Sequence, residues 1–192
     1  MTSLQTDQSP RRRLSKRQAE TVAKLVAAAT EELRDRGYAE LTVRTVAARA
    51  GVAPATAYTY FASKDHLITE LLWDRLHAAA TPPPEGEPTQ RVVAVLRNMV
   101  LAMVDEPELA AAATKAMLGD DPDVADLRLR IGTEVHSRLA AALGRRPDRQ
   151  VLTALEFAWA GALMHAGLGV VSYKKIADQL ATTAALIMHG SS

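Results

Sequence analysis

Gly51 constrains the fold of this chain more than any other residue, because it stands between two short segments that each read as a helix. The first, Val43 to Arg49, follows Thr42, a good N-cap, and turns Val46 and Ala47 inward. The second begins at Pro54, which suits the first position of a helix because its missing N–H would be unpaired there anyway, and runs to about Phe61. Glycine supplies the positive φ of a tight turn between them. The small side chain of Ala47 lets the two helices approach closely.

The remaining chain is punctuated in the same way. Ser15 can cap a first helix that carries Val22, Leu25, Val26, Ala29 and Leu33 on one face and ends near Arg36, with Gly37 as a left-handed C-cap. Ser63 can cap a fourth helix, carrying Leu67, Ile68, Leu71, Leu72 and Leu76 to about Ala79. The run TPPPEGEP over 81–88 forms a loop. Further helices are expected at about 89–105, 107–118, 122–143, 148–170 and 173–189, with Pro107, Pro122 and Pro147 near helix starts. There is no strand pattern and no internal repeat. The expected architecture is all-α with about nine helices: a disordered basic arm over 1–13, a three-helix helix-turn-helix head over 14–62, and a helical body over 63–190.

Charge and composition exclude several classes. Residues 1–80 carry 12 Lys and Arg against 9 Asp and Glu, whereas 81–192 carry 11 against 13. The basic excess gathers at Arg11, Arg12, Arg13, Lys16 and Arg17, which suits attraction to phosphate and equally suits a solvated leader. No cysteine is present, so disulfides, thiolate metal sites and a cysteine nucleophile are excluded. The longest apolar stretch, Phe157 to Val171, is shorter than the roughly 20 residues a bilayer span needs. No membrane partner is expected, and the location expected is cytoplasmic. The five histidines show no H-E-x-x-H spacing, and neither a glycine-rich phosphate loop nor G-x-S-x-G occurs. Asp120, Asp121 and Asp123 flank Pro122 and read as a helix start, where carboxylates complement the dipole. No enzyme activity, metal site or cofactor is expected.

A pair of short helices around such a turn is the form that sets its second helix in the DNA major groove. The stretch LTVRTVAARAGVAPATAYTYFASKDHL, residues 41–67, resembles the TetR family of bacterial regulators through Thr42, Val46, Ala47, Ala50, Gly51, Val52, Tyr58, Tyr60, Phe61, Lys64 and Leu67. The likeness is specific over 19–76. Double-stranded operator DNA is therefore the expected partner. Thr42 and Lys64 are expected to meet phosphate, and Arg44 can reach a guanine edge with its bidentate fork. Thr45, Thr56 and Tyr58 are candidate base or phosphate contacts, and Tyr60 offers its hydroxyl to the backbone. Val52 and Phe61 are expected in the core. The chain departs from the family pattern at Pro54 and Ala55, where polar residues or glycine are common, and Ala57 is smaller than usual. Ala55 can pack against a thymine methyl but donates no hydrogen bond, so the operator sequence does not follow.

In the body, the helix at 148–170 is apolar almost all round and should be buried on every face. The helix at 173–189 shows a stripe at Ile176, Leu180, Thr183, Ala184 and Ile187. The TetR resemblance implies that these two helices form half of a four-helix interface in a homodimer; the alternative is that they are simply core of one chain. The same resemblance implies a cavity for a small-molecule effector among the middle helices. Trp73, Met99, Met103, Met117 and Trp159 are its candidate lining, expected to enclose roughly 300 Å³ or more, though each also suits an ordinary core. His136 and His165 suit either a pocket or a surface. The leading function is a ligand-responsive repressor released from a palindromic operator by a small apolar effector. A DNA binder without a ligand, and a helical enzyme or carrier that uses its head as structure, are the other readings.

Overall fold

The computed structural model describes residues 15–79 and 85–190. The basic leader with Arg11, Arg12 and Arg13, and residues 81–84 of the proline loop, lie outside them. The described residues form nine α-helices and no strand, as the punctuation of the sequence implies. They are α1 (Lys16–Glu40), α2 (Val43–Arg49), α3 (Pro54–Tyr58), α4 (Lys64–Ala78), α5 (Pro88–Leu101), α6 (Pro107–Leu118), α7 (Pro122–Leu143), α8 (Arg149–Gly167) and α9 (Tyr173–His189). The chain divides into two compact units, Met1–Ala62 and Ser63–Ser192.

The helix starts expected at Ser15, Thr42 and Ser63 are capped as the sequence implies, and Ser172 caps α9 in the same way: each hydroxyl accepts from the backbone N–H three residues on. Asp121 and Asp148 do the same job at α7 and α8. The Ser63 hydroxyl also donates to Asp121, and that bond holds the Asp121 carboxyl below the usual carboxylate range.

Helix ends depart from expectation at four places. At Gly37 the backbone leaves the helix, with φ 76° and ψ 170°, and a last turn resumes to Glu40. At α3 the helix stops at Tyr58, where Thr59 turns its hydroxyl back onto the Thr56 carbonyl at 2.6 Å. After Leu101 the backbone tightens, with Met103 and Val104 bonding only three residues back. At the end of α8 the Val170 N–H returns to the His165 carbonyl.

The second unit is a bundle. Helix α4 packs on α6 and α7, α5 on α7 and α9, and α8 on α6, α7 and α9. Its core joins Leu67, Ile68 and Leu71 of α4 to Val92 and Leu96 of α5, Leu109 of α6, Leu127 and Ile131 of α7, Leu155 of α8 and Leu180 of α9, all buried. One expectation is corrected here: the α9 stripe is core of the single chain at Ile176, Leu180 and Ala184. Helix α8 is core on one face and open on another in the single chain, where Phe157 is 73% exposed and Leu168, just past its end, is 62% exposed.

Three arginines close helix C-termini whose carbonyls have no intrahelical partner. Arg138 of α7, 9% exposed, donates to the carbonyls of His77 and Ala79 at the end of α4. Arg128 donates to those of Met117 and Gly119 at the end of α6. Arg91 of α5 donates to that of Ala142 near the end of α7 at 2.8 Å. Arg138 also holds Glu134 at 2.7 Å.

Helices α6 and α8 approach closely at Gly167. A Cβ there would lie 1.9 Å from Thr114 Oγ1, 2.7 Å from Thr114 Cβ and 3.2 Å from the Ala110 carbonyl oxygen. Gly167→Ala is therefore expected to destabilise the protein by about 1–3 kcal/mol, the usual cost of overpacking. Urea denaturation measures this, and unchanged stability would contradict the close approach. Arg138→Met, which strands two carbonyls and a carboxylate, is expected to cost about 1.5–3 kcal/mol in the same measurement.

Candidate functional site

In the first unit, α2 lies beside both α1 and α3. Leu25, Ala29, Leu33, Leu41, Val43, Val46, Ala47, Ala57 and Phe61 are buried. Ala57 and Phe61 anchor the segment after Gly51, so the small Ala57 is a core residue. Val52 is only half-buried.

The turn is closed by two backbone bonds. The Gly51 N–H meets the Ala48 carbonyl at 3.2 Å, and the Val52 N–H meets the Ala47 carbonyl at 2.9 Å. This is a Schellman arrangement, which needs a left-handed residue at the glycine position; Gly51 has φ 64°.

A charged cluster ties α2 to α1. Glu32, 2% exposed, accepts from Arg49 Nε at 2.6 Å and pairs with Arg36 at 3.3 Å. Arg49 also meets Asp35 at 2.7 Å and Glu31 at 3.6 Å. Hydrogen bonds to Asp35 and Glu32 push the Arg49 guanidinium above its ordinary range. A buried carboxylate stays charged only with such partners. Glu32 carries no motif signal; its place one residue before Leu33, on the face of Leu25 and Ala29, is the only hint the sequence gives.

The expected DNA contacts are distributed as follows. Thr42 and Arg44 are exposed, and Arg44 makes no ion pair among the described residues, in contrast to Arg49 on the same helix. Thr45 is committed to the α2 cap. Its hydroxyl donates to the Thr42 carbonyl at 3.0 Å and accepts from the Thr42 N–H at 3.1 Å. Ala55, Thr56 and Tyr58 are exposed on α3, Tyr58 to 50%. Tyr60 is half-buried just past α3. Lys64, half-buried, opens α4 and belongs to the second unit.

The second unit contains a cavity of about 210 Å³, smaller than the sequence led one to expect. Leu72 of α4, Met103 between α5 and α6, Thr114 and Met117 of α6, Trp159 of α8 and Tyr173 of α9 are among its lining. Three of the five anticipated residues, Met103, Met117 and Trp159, therefore meet there. Trp73 and Met99 do not. Met99 is buried in the helix packing. Trp73 stacks on His77 with ring centroids 5.1 Å apart and lies under the Arg130 guanidinium at 4.6 Å. Thr114 and Tyr173 were not anticipated: neither lies on the Met and Trp pattern that pointed to a pocket. Burial pushes the Tyr173 phenol up to about 12, so it stays neutral at physiological pH.

A wider, shallower hollow of about 540 Å³ lies between α7 and α8. It contains the exposed Leu129 and Phe157 and the His136–Glu156 pair at 2.7 Å, so His136 is a surface group with a carboxylate partner. His165 is exposed. Its open, ionic rim distinguishes this hollow from the apolar cavity. Among the described residues there is no cluster of three metal-ligating side chains and no helix long and apolar enough to cross a membrane.

Comparison with known proteins places these features. Residues 25–71 match the model for bacterial regulatory proteins of the tetR family. An uncharacterized HTH-type transcriptional regulator of Mycobacterium tuberculosis is 47% identical over 180 residues, spanning 92% of this chain and 84% of that protein. The HTH-type transcriptional repressor KstR of Rhodococcus jostii is 36% identical over 92 residues, 46% of this chain and 43% of that protein. The crystal structure of a TetR transcriptional regulator from Rhodococcus sp. RHA1 superposes with a TM-score of 0.73 at 25% identity, covering 90% of this chain and 97% of that one.

Gly51→Ala should cost roughly 1–2 kcal/mol, the price of a side chain in the left-handed region, because no atom lies within 4 Å of the added Cβ. Thermal or urea unfolding that leaves stability intact would contradict the turn. Arg49→Met should destabilise the head more than Arg36→Met, since Arg49 serves three carboxylates and Arg36 only Glu32. Equal midpoints for the two variants would argue against Arg49 as the principal partner of Glu32.

Proposed function

The chain belongs to the TetR family of bacterial regulatory proteins and is a DNA-binding transcriptional regulator, not an enzyme; from that premise we propose that it is a ligand-responsive repressor acting in the cytoplasm. The observation that carries the DNA-reading part is the contrast on α2. Arg49 is bound by three carboxylates, while Arg44, the second residue of the helix, is exposed and unpaired among the described residues. A free guanidinium presents its fork to a guanine edge without first breaking an ion pair. Thr56, Tyr58 and the Ala55 methyl on the exposed side of α3 complete the reading surface. Thr42, Tyr60 and Lys64 contact the phosphate backbone. Thr45 contributes chiefly by holding the cap beneath Thr42.

The exposed face of α8 supports a homodimer. Phe157, Ala160, Gly161, Met164 and Leu168 recur at helical spacing and are all exposed in the single chain. Leu186 of α9 is exposed as well. A continuous exposed apolar stripe marks an interaction surface, and the small Ala160 and Gly161 admit close approach of a second α8. A two-fold dimer carries two heads and calls for a palindromic operator, with half-sites about 34–36 Å apart or a multiple of that.

The cavity supplies the response. Leu72 of α4 is in its wall, and α4 begins two residues after the head ends at Ala62. An effector that binds the released state more tightly shifts the population away from DNA; one with equal affinity for both states shifts nothing. The relative named a repressor, KstR, supports repression.

Arg44→Ala should lose about 1–3 kcal/mol against the best operator and little against random DNA. Mobility shifts with both DNAs decide this, and an equal loss on both would remove Arg44 from base reading. Phe157→Glu should give a folded monomer by light scattering at micromolar concentration, because the side chain is exposed in the single chain. A wild-type monomer would remove the palindromic operator with the dimer.

A further inference from the structure

The cavity in the second unit carries a statement about what enters it. Its lining contains no Asp, Glu, Lys, Arg or His. Three side chains in its wall have polar atoms. The Thr114 hydroxyl donates to the Ala110 carbonyl at 2.9 Å, so its proton is spent. Tyr173 is a buried, neutral phenol. Trp159 is 8% exposed, and its Nε1–H is buried without any hydrogen-bond partner.

An indole N–H is a donor and nothing else. Leaving it buried and unpaired forfeits a hydrogen bond, and buried tryptophans ordinarily find a partner. We infer that the cavity receives a compact, uncharged, mainly apolar molecule carrying one hydrogen-bond acceptor, and that Trp159 Nε1 donates to that acceptor. This rests on reading the cavity as the effector site. Trp159 lines the cavity, so a carbonyl or ether oxygen bound there is the nearest acceptor the structure offers to this unpartnered N–H. A carboxylate or ammonium has no counter-ion in the lining, and burying it unpaired is costly. The methionines beside Trp159 adapt to an irregular apolar outline, so the acceptor, more than the exact shape, sets selection.

The test uses three probes of similar outline on the full-length protein: acetophenone, with a ketone acceptor; isopropylbenzene, without one; and benzoate, charged. The protein has two tryptophans, so two indole N–H signals report in nitrogen-labelled protein, with Trp73 outside the cavity as the internal reference. Acetophenone is expected to bind about tenfold tighter than isopropylbenzene, the worth of one hydrogen bond. It should also move the Trp159 indole proton to lower field while the Trp73 signal stays in place. Benzoate should leave both signals unmoved at the same concentrations. Trp159→Phe should still bind isopropylbenzene but lose the tenfold preference. Equal affinity for the ketone and the hydrocarbon, a preference that survives Trp159→Phe, tight binding of benzoate, or no binding of any probe each overturns the inference. If the variant does not fold, the wild-type comparison and the indole shift decide alone. Operator release is read separately. Ketone-selective binding with unchanged DNA affinity defeats the inducer role but leaves the ligand class standing, whereas release by charged compounds alone does the reverse.

Discussion

Every helix in this protein ends in carbonyl groups that nothing within the helix can satisfy, and a chain built of short helices meets that demand many times over. At three of the six helices of the second unit the answer is arginine from a neighbouring helix. Arg138 reaches the end of α4, Arg128 the end of α6 and Arg91 the end of α7. Each guanidinium neutralises the negative end of a helix dipole and fixes where one helix stops against another. The bundle is therefore held in register by polar contacts at its ends as well as by the leucine and valine core between them.

The same arrangement explains why a cavity persists in the second unit. Helices α6 and α8 meet at Gly167, where Thr114 sits against the glycine with no room for a methyl group. Helix α4 is fixed at its far end by Arg138 and by Arg75, whose two bonds to Glu106 measure 2.7 and 2.8 Å. Walls pinned at such points cannot collapse freely onto an unfilled volume, and the space is left among Met103, Met117, Trp159 and their neighbours. Close packing elsewhere and a void here are two results of one set of constraints.

The head solves a different problem. Helices of 7 and 5 residues, α2 and α3, are too short to be stable alone. They are held by the Schellman turn at Gly51, by burial of Val46, Ala47, Ala57 and Phe61, and by the Glu32–Arg49 pair that fastens α2 to α1. These contacts consume the inward side chains and one arginine, and leave Arg44, Thr56 and Tyr58 facing out. Stability and recognition thus use opposite faces of the same short helices.

Local chemistry was legible in the residue order. The caps at Ser15, Thr42 and Ser63, the aspartates around Pro122, the prolines opening α3, α6 and α7, and the turn at Gly51 act within a few positions of themselves, so nine helices and a helix-turn-helix head could be read directly, whereas Pro88, assigned to the 81–88 loop, opens α5. Helix ends were less legible. They depend on side chains such as Thr59, or on turns that tighten for want of further packing. What only the tertiary structure decided is which apolar residues meet. Trp73 and Met99 look no different in sequence from Trp159 and Met103, yet they lie outside the cavity, while Thr114 and Tyr173, unremarked in the sequence, line it. Likewise the apolar face of α9 turned into the core and that of α8 turned partly outward. Periodicity states that a helix has an apolar face; which neighbour covers that face, or leaves it open, depends on contacts between segments far apart in the chain.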